Sequence, residues 1–146
     1  QLPALPEYPW HMTDTARVDA EYQQLDEAGV YASPPILWNA HDHAPLDVCL
    51  LVTYPEWPQS LLLVTRSDYP HSTPAARTGP KPPVDPLVDP VAAFEHVWPE
   101  SKPVVLKADW QPSSQSRLHD YLLAVVAELG WKRPVKATTP GDEVTA

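Results

Sequence analysis

The most strongly apolar stretches of the chain are two short runs that lie close together. Residues 48–52 read VCLLV, residues 61–64 read LLLV, and a proline-containing connection separates them. Continuous apolar runs of this length are typical of strands covered on both faces, and the five residues PEWPQ suit a hairpin. The pattern predicts two antiparallel central strands at residues 47–54 and 60–66.

Apolar positions at helical spacing predict a first helix over residues 14–28. Thr13 or Asp14 can cap its N-terminus, and Gly29 supplies a residue that readily adopts the left-handed conformation at a helix end. The polar residues lie elsewhere on this segment, so one face is expected to be buried. That face holds Val18, Tyr22 and Leu25.

The same spacing predicts a final helix that begins at Ser113 or Ser114 and ends at Leu129, before Gly130. Its apolar stripe is the widest in the chain and consists of Leu118, Leu122, Val125, Val126 and Leu129. We therefore expect this helix to be the main core element.

The terminal residues of the stretch DPVAAFEHVWP, residues 89–99, predict a short helix. Asp89 can cap it, Pro90 suits its first turn, and Pro99 forces it to end.

Two weaker strands complete the predicted sheet. Residues 30–38 are interrupted by Pro34 and Pro35, which lack the N–H group needed in a strand ladder, so this segment is predicted to be an edge strand. Residues 103–108 read PVVLKA and form the last predicted strand.

Proline is unusually frequent, with twenty residues against four glycines. Pro3, Pro6 and Pro9 recur at the three-residue period of a polyproline helix, so residues 1–12 are predicted to be an extended arm. Residues 67–89 contain six prolines and few large apolar side chains, which predicts a long surface loop. Residues 131–146 are expected to be a polar C-terminal tail.

These elements predict an α+β fold, because neighbouring strands follow one another without intervening helices. We expect a small antiparallel sheet of about four strands, covered by an N-terminal and a C-terminal helix. Residues 13–130 are expected to form one domain, with proline-rich extended segments outside it.

The charge balance restricts the classes of partner. Ten basic against nineteen acidic residues give a net charge of −9, which disfavours binding to nucleic acid and to anionic membrane surfaces. The apolar runs are too short to span a bilayer, so we expect no membrane insertion. A single cysteine excludes an internal disulfide and favours a reducing intracellular compartment, or an organelle reached after removal of a targeting peptide.

Candidate chemistry is concentrated in residues 38–58. His41 and His43 are two residues apart, as in some metal sites, and Asp47 could add a carboxylate. The sequence has no third histidine at a suitable spacing. We therefore predict a polar turn that binds no metal. Cys49 lies inside an apolar strand, and we expect it to be buried and unreactive.

Other catalytic and cofactor signatures have no counterpart in the sequence. It contains neither a G-x-S-x-G elbow nor a glycine-rich phosphate loop, and no cofactor is expected. Asp85 and Asp89 lie in the proline-rich loop and are interpreted as solubilising charges. We therefore predict a protein that is not an enzyme.

The segment with Pro34, Pro35, His41 and Cys49 followed by Leu50 resembles the region around the catalytic cysteine of ubiquitin-conjugating enzymes. That resemblance implies a nucleophilic role for Cys49. A second alignment resembles the inactive relatives of these enzymes, the RWD domains. It rests on the YPEWP turn at residues 54–58, which in those domains lies between two strands, and on a Trp-x-Pro at residues 110–112 before a helix. The two alignments use the chain differently and remain alternatives.

Six tryptophans lie at element ends or in loops, where this residue type often contributes to protein interfaces. Extended arms on a small core are typical of subunits that brace larger assemblies. We therefore predict a structural or accessory subunit whose partners are other protein subunits; an acidic inhibitor of the immunity-protein kind is a further alternative. The predicted partner-binding residues are Leu5, Tyr8, Trp10, Trp57 and Trp131.

Overall fold

The computed structural model describes residues 10–38, 47–107, 110–111, 113 and 117–136. The helices are α1 (Trp10–Thr13), α2 (Thr15–Ala28), α3 (Pro90–Val97) and α4 (Leu118–Leu129), with a 3₁₀ turn at Trp98–Glu100. The strands are β1 (Tyr31–Ala32), β2 (Ile36–Trp38), β3 (Asp47–Thr53), β4 (Ser60–Thr65), β5 (Ala75–Gly79) and β6 (Lys102–Val104).

The strands form one antiparallel sheet, and the predicted α+β class is confirmed. Within the described residues the sheet has six strands in the order β1-β3-β4-β5-β6, and β2 also pairs with β3. The predicted hairpin is confirmed by the register, in which Leu50 lies opposite Leu63. The segment interrupted by Pro34 and Pro35 lies at the edge, as predicted, because β1 and β2 both pair with β3 on the side away from β4.

The central strands β3 and β4 are buried on both faces. Every residue of β4, and every residue of β3 except Thr53, is buried. Because side chains alternate along a strand, the two strands contribute to two separate cores. The first core includes Val48, Leu50, Val52, Leu61 and Leu63, and the second includes Cys49, Leu51, Leu62 and Val64.

Side chains of α2 and α4 belong to the first core. The Asp14 side chain caps α2 by accepting a hydrogen bond from the Arg17 N–H at 3.1 Å, and Gly29 ends the helix with φ of 91°. The α4 stripe buries Leu118, Tyr121, Leu122, Val125 and Val126. The sequence pattern of both helices is thus explained by contact with the same sheet face.

The second core is closed by α3. Asp89 caps this helix through the Ala92 N–H at 3.1 Å, and Pro90 occupies its first turn, as predicted. Gly79 lets the helix end approach the sheet, because a Cβ at this position would lie 2.6 Å from Val97 Cγ1. The apolar side chains that α3 buries are Ala93, Phe94 and Val97.

The prediction that residues 67–89 form only a loop is wrong, because this range contains β5. The strand sequence AARTG has low strand propensity, and it forms because β4 and β6 supply hydrogen-bonding partners on its two sides. This strand, and the separation of β1 from β2, account for six strands where about four were expected.

The boundaries of several other elements differ from the predictions. Trp10–Thr13 is a helical turn where an extended arm was expected, and residues 1–9 of that arm lie outside the described residues. The last strand ends at Val104 rather than at residue 108. The final helix begins at Leu118 rather than at Ser113 or Ser114.

We expect Leu122→Ala to lower the free energy of unfolding by about 2–5 kcal/mol, because Leu122 is fully buried in α4 and the truncation leaves a cavity. The exposed Leu37 gives the matched control, and Leu37→Ala should change stability by less than about 0.5 kcal/mol. Urea unfolding followed by circular dichroism measures both. Equal effects of the two substitutions would contradict the packing of α4.

Candidate protein-binding site

Three cavities meet at Tyr31, the first residue of the edge strand β1. Their volumes are about 320, 350 and 220 Å³, and Tyr31 lines all three. The side chain is not hidden among them, since 54% of the residue surface is exposed. Tyr31 therefore combines a large, half-exposed aromatic ring with concave surface on several sides.

Tyr54 and Pro55, which directly follow β3, line both larger cavities together with Tyr31. The 350 Å³ cavity is further lined by the proline-rich loop between β5 and α3, including Pro82, Pro83 and Pro86. Proline rings have fixed φ angles, so these walls are stiff and provide no N–H donors.

The segment after α4 contributes the wall of the 320 Å³ cavity. The Tyr54 hydroxyl accepts a hydrogen bond from the Val135 N–H at 3.2 Å and lies 3.4 Å from the Val135 carbonyl oxygen. Gly29 permits this close approach, because a Cβ there would lie 2.3 Å from that oxygen. Residues 131–136, the first part of the predicted polar C-terminal tail, therefore pack against the body of the protein.

Trp57 fixes the same segment from the turn between β3 and β4. Its indole Nε1 donates to the Lys132 carbonyl oxygen at 2.9 Å, and its ring lies 5.5 Å from the rings of both Tyr54 and Trp131. The exposed ion pair between Lys132 and Glu56, at 2.7 Å, joins the two segments at the surface and lowers the pKa of Glu56.

Exposed apolar side chains lie beside the cavities. Val84 lines the 350 Å³ cavity and Leu87 lines the 220 Å³ cavity, and both are exposed. The exposed Tyr31, Pro55, Val84 and Leu87 form the surface that we call the Tyr31 face, and Tyr54, which is only 7% exposed, contributes to the walls of its cavities. Contiguous exposed apolar groups around concave surface are typical of protein interaction sites.

The predicted partner-binding residues that the structure describes are buried or half-buried. Trp10 and Trp57 have exposures of 3% and 1% and are core residues, which leaves almost no surface for a partner. Trp10 packs against Tyr69, and its indole N–H donates to Thr65 Oγ1 at 2.7 Å. Trp131 is half-buried against Trp57. Leu5 and Tyr8 lie outside the described residues.

Sequence reasoning missed Tyr31, Val84 and Leu87. The local signals were the position of Tyr31 beside an edge-strand break and the position of Val84 and Leu87 among prolines in a segment with few large apolar residues. Their proximity depends on the tertiary fold and leaves no period in the sequence.

Cys49 is fully buried in β3, as predicted. Burial, with a smaller contribution from the charge of Asp47, raises the pKa of the thiol to about 12. The thiol is therefore protonated at neutral pH and inaccessible to a substrate, in contrast to the role implied by the ubiquitin-conjugating resemblance.

The other candidate groups are two histidines and two aspartates. His41 and His43 lie outside the described residues, whereas Asp85 and Asp89 have structural roles. Within the described parts of the chain, no group of three or more His, Cys, Asp or Glu residues is placed to hold a metal ion. Asp85 accepts a hydrogen bond from the Leu87 N–H at 2.9 Å, and Asp89 caps α3.

A buried carboxylate, Glu21, is the second unusual feature of the molecule. It accepts hydrogen bonds from the Tyr69 hydroxyl and, at 3.3 Å, from the Leu118 N–H, and it lies 3.8 Å from Arg117 Nε. Burial raises its pKa above the usual value, and these partners oppose the increase. Glu21 lines none of the three cavities at Tyr31. Its hydrogen bond with the Leu118 N–H joins α2 to the start of α4 within the core.

Comparisons with family models, with curated proteins and with solved structures gave no match to this chain. Among the described helices, none has the length and apolar character required to cross a membrane.

We expect the Cys49 thiol to react with a chromogenic disulfide reagent at least about 100-fold more slowly in native protein than in denatured protein, because the thiol is both buried and protonated. The denatured chain in urea, which has the same single thiol, is the control. Comparable rates in the two states would show that the strand is accessible.

The raised pKa of Glu21 predicts a specific pH dependence of stability. Between its usual value of 4.5 and the raised value, the folded protein retains a proton that the unfolded chain has released, so this group's contribution to stability falls as pH rises. Glu21→Gln removes the titration. The free energy of unfolding of the wild type minus that of Glu21→Gln should decrease with rising pH, by at most about 1.4 kcal/mol per unit.

Urea unfolding at a series of pH values from about 4.5 to neutral measures this difference. Subtracting the variant cancels the contributions of the other titratable groups that the substitution leaves unperturbed. A difference that stays constant or increases with pH would contradict the raised pKa.

Proposed function

We propose that this chain is a non-catalytic accessory subunit that binds other proteins through the Tyr31 face. The observation that supports the proposal is the half-exposed Tyr31 at the junction of three cavities. Aromatic residues set in well-packed concave surfaces are the usual anchors of protein interfaces, since they bury much area and lose little conformational freedom.

The walls of the face support the same function. Val135 is bound to Tyr54, Trp57 is bound to Lys132, and the loop on the other side is stiffened by proline. A partner would meet a surface that is already ordered, so little entropy is lost when the complex forms. This preorganisation favours a role in partner binding over the alternative that these segments only link secondary-structure elements.

The charge of the chain supports a protein partner with basic character. A net charge of −9 attracts basic surfaces and speeds their association, whereas it repels the phosphates of nucleic acids. In this proposal residues 1–9, with their three prolines, provide an additional contact with the assembly.

The RWD-type alternative is favoured over the ubiquitin-conjugating one. The YPEWP turn at residues 54–58 connects β3 and β4, and this position between two strands is the one that the resemblance implies. The conjugating alternative instead requires Cys49 as an accessible nucleophile. An RWD-type domain would itself be non-catalytic, and it agrees with the proposed function.

We expect the chain to be recovered from the cells that produce it in a particle much larger than a monomer of 16.2 kDa, and Tyr31→Ala to release it. Loss of a central aromatic anchor costs about 2 kcal/mol or more, which corresponds to roughly 30-fold weaker binding. Size-exclusion chromatography with light scattering measures the release.

Leu37→Ala is the matched control, because Leu37 is 43% exposed on β2, on the same side of β3 as Tyr31, and lines none of the three cavities. Both variants should keep the wild-type melting temperature. A wild-type chain that is monomeric in the cell extract, or an assembly unaffected by Tyr31→Ala, would overturn the proposed function.

A further inference from the structure

We propose that the segment bound at the Tyr31 face is a proline-rich peptide in the left-handed polyproline conformation, with a basic residue beside its prolines. This inference rests on the proposed function and adds the chemical class of the partner.

The edge strand does not suit the other common mode of peptide binding, the addition of a strand to the sheet. That mode requires a row of backbone N–H and C=O groups along a free edge. β1 is only two residues long, and two residues after its end Pro34 and Pro35 provide no N–H. A partner at this edge must therefore be recognised mainly by side chains.

The shape of the face suits a polyproline helix. Such a helix has three residues per turn, and it docks on aromatic side chains with its apolar residues in neighbouring depressions. Here the exposed Tyr31 and Pro55 line both of the larger cavities and so lie where the two adjoin, and the buried Tyr54 lines both cavities beside them. Successive turns of the peptide can each place a proline and its apolar neighbour in one cavity.

The 350 Å³ cavity also offers a hydrogen-bond donor for the carbonyl groups of such a peptide, which a polyproline helix leaves unpaired. Lys81 lines the cavity and is exposed, and its ammonium group is 3.4 Å from the Pro55 carbonyl oxygen, a long and weak contact that leaves it available to a peptide carbonyl.

Asp85 indicates the position of the basic residue, since this carboxylate and the Lys81 ammonium group are, among the described residues, the two charged side chains that line the cavity. The Asp85 carboxylate lines the cavity, is exposed, and forms no ion pair with any residue in the described part of the chain. Its hydrogen bond to the Leu87 N–H holds it in place. An arginine or lysine of the peptide can pair with this carboxylate, and an acidic residue at the same place is repelled.

The test uses fluorescence anisotropy with labelled nine-residue peptides and the full chain. The first peptide has proline at every third position, leucine before each proline and one terminal arginine. The second has the same composition with the spacing scrambled, and the third replaces arginine with glutamate. We expect the first to bind at least about tenfold more tightly than either of the others.

Single substitutions test whether the first peptide binds at the Tyr31 face. Tyr31→Ala should weaken binding of the first peptide at least about tenfold, and Leu37→Ala should leave it unchanged. Asp85→Asn, which keeps the hydrogen-bond acceptor, should remove the preference for arginine over glutamate. Equal binding of the scrambled peptide, no effect of Tyr31→Ala, or no binding of the first peptide would each overturn the inference.

A further peptide with the sequence of residues 1–9 tests another occupant. If it binds more tightly than the arginine peptide, the site takes this chain's own N-terminal segment or that of a second copy, and the basic partner is wrong. Failure of the peptide inference can be distinguished from failure of the proposed function. Release of the chain from its assembly by Tyr31→Ala, without binding of the first peptide, would overturn only the peptide class.

Discussion

Burial of β3 and β4 on both faces is the constraint on which the other elements depend. A strand pair with apolar side chains on both sides must be covered twice, and the chain does so with α2 and α4 on one face and α3 on the other. Covering both faces leaves the sheet edge as a place where an aromatic side chain, that of Tyr31, still meets solvent. The Tyr31 face lies there, where the start of β1, the end of β3 and the loop before α3 come together. Its position thus follows from how the core is closed.

Glu21 connects the elements of the first core. Arg117, the N-cap residue of α4, makes no capping hydrogen bond with its side chain, and the carboxylate of Glu21, supplied by α2, accepts from the first N–H of that helix. Ionising this buried group costs free energy, which the hydrogen bonds and the nearby Arg117 offset in part. The same group that links α4 to α2 is therefore the one whose titration we expect to make the stability of the protein depend on pH.

Much of the fold could be predicted because its strongest elements have local causes. Apolar density identifies β3 and β4, and capping residues such as Asp14 and Asp89 mark the starts of α2 and α3. β5 could not be found, since its alanine, arginine, threonine and glycine residues form a strand only through hydrogen bonds to its neighbours. The burial of Cys49 was predictable from its apolar run. The candidate site was not, because residues around 31, 54 and 84 are brought together only by the sheet, and because tryptophans that resembled surface anchors are used in the core.

The assignment of the Tyr31 face as the binding surface is tested most directly by hydrogen exchange and mass spectrometry on the chain alone and within the assembly purified from cells. Amides around residues 29–32, 54–60 and 81–88 should exchange more slowly in the assembly, because a bound partner excludes water and suppresses local opening there. The opposite sheet edge at β6 serves as the internal reference and should exchange at the same rate in both samples. Protection confined to β6, or no difference around Tyr31, would contradict the assignment.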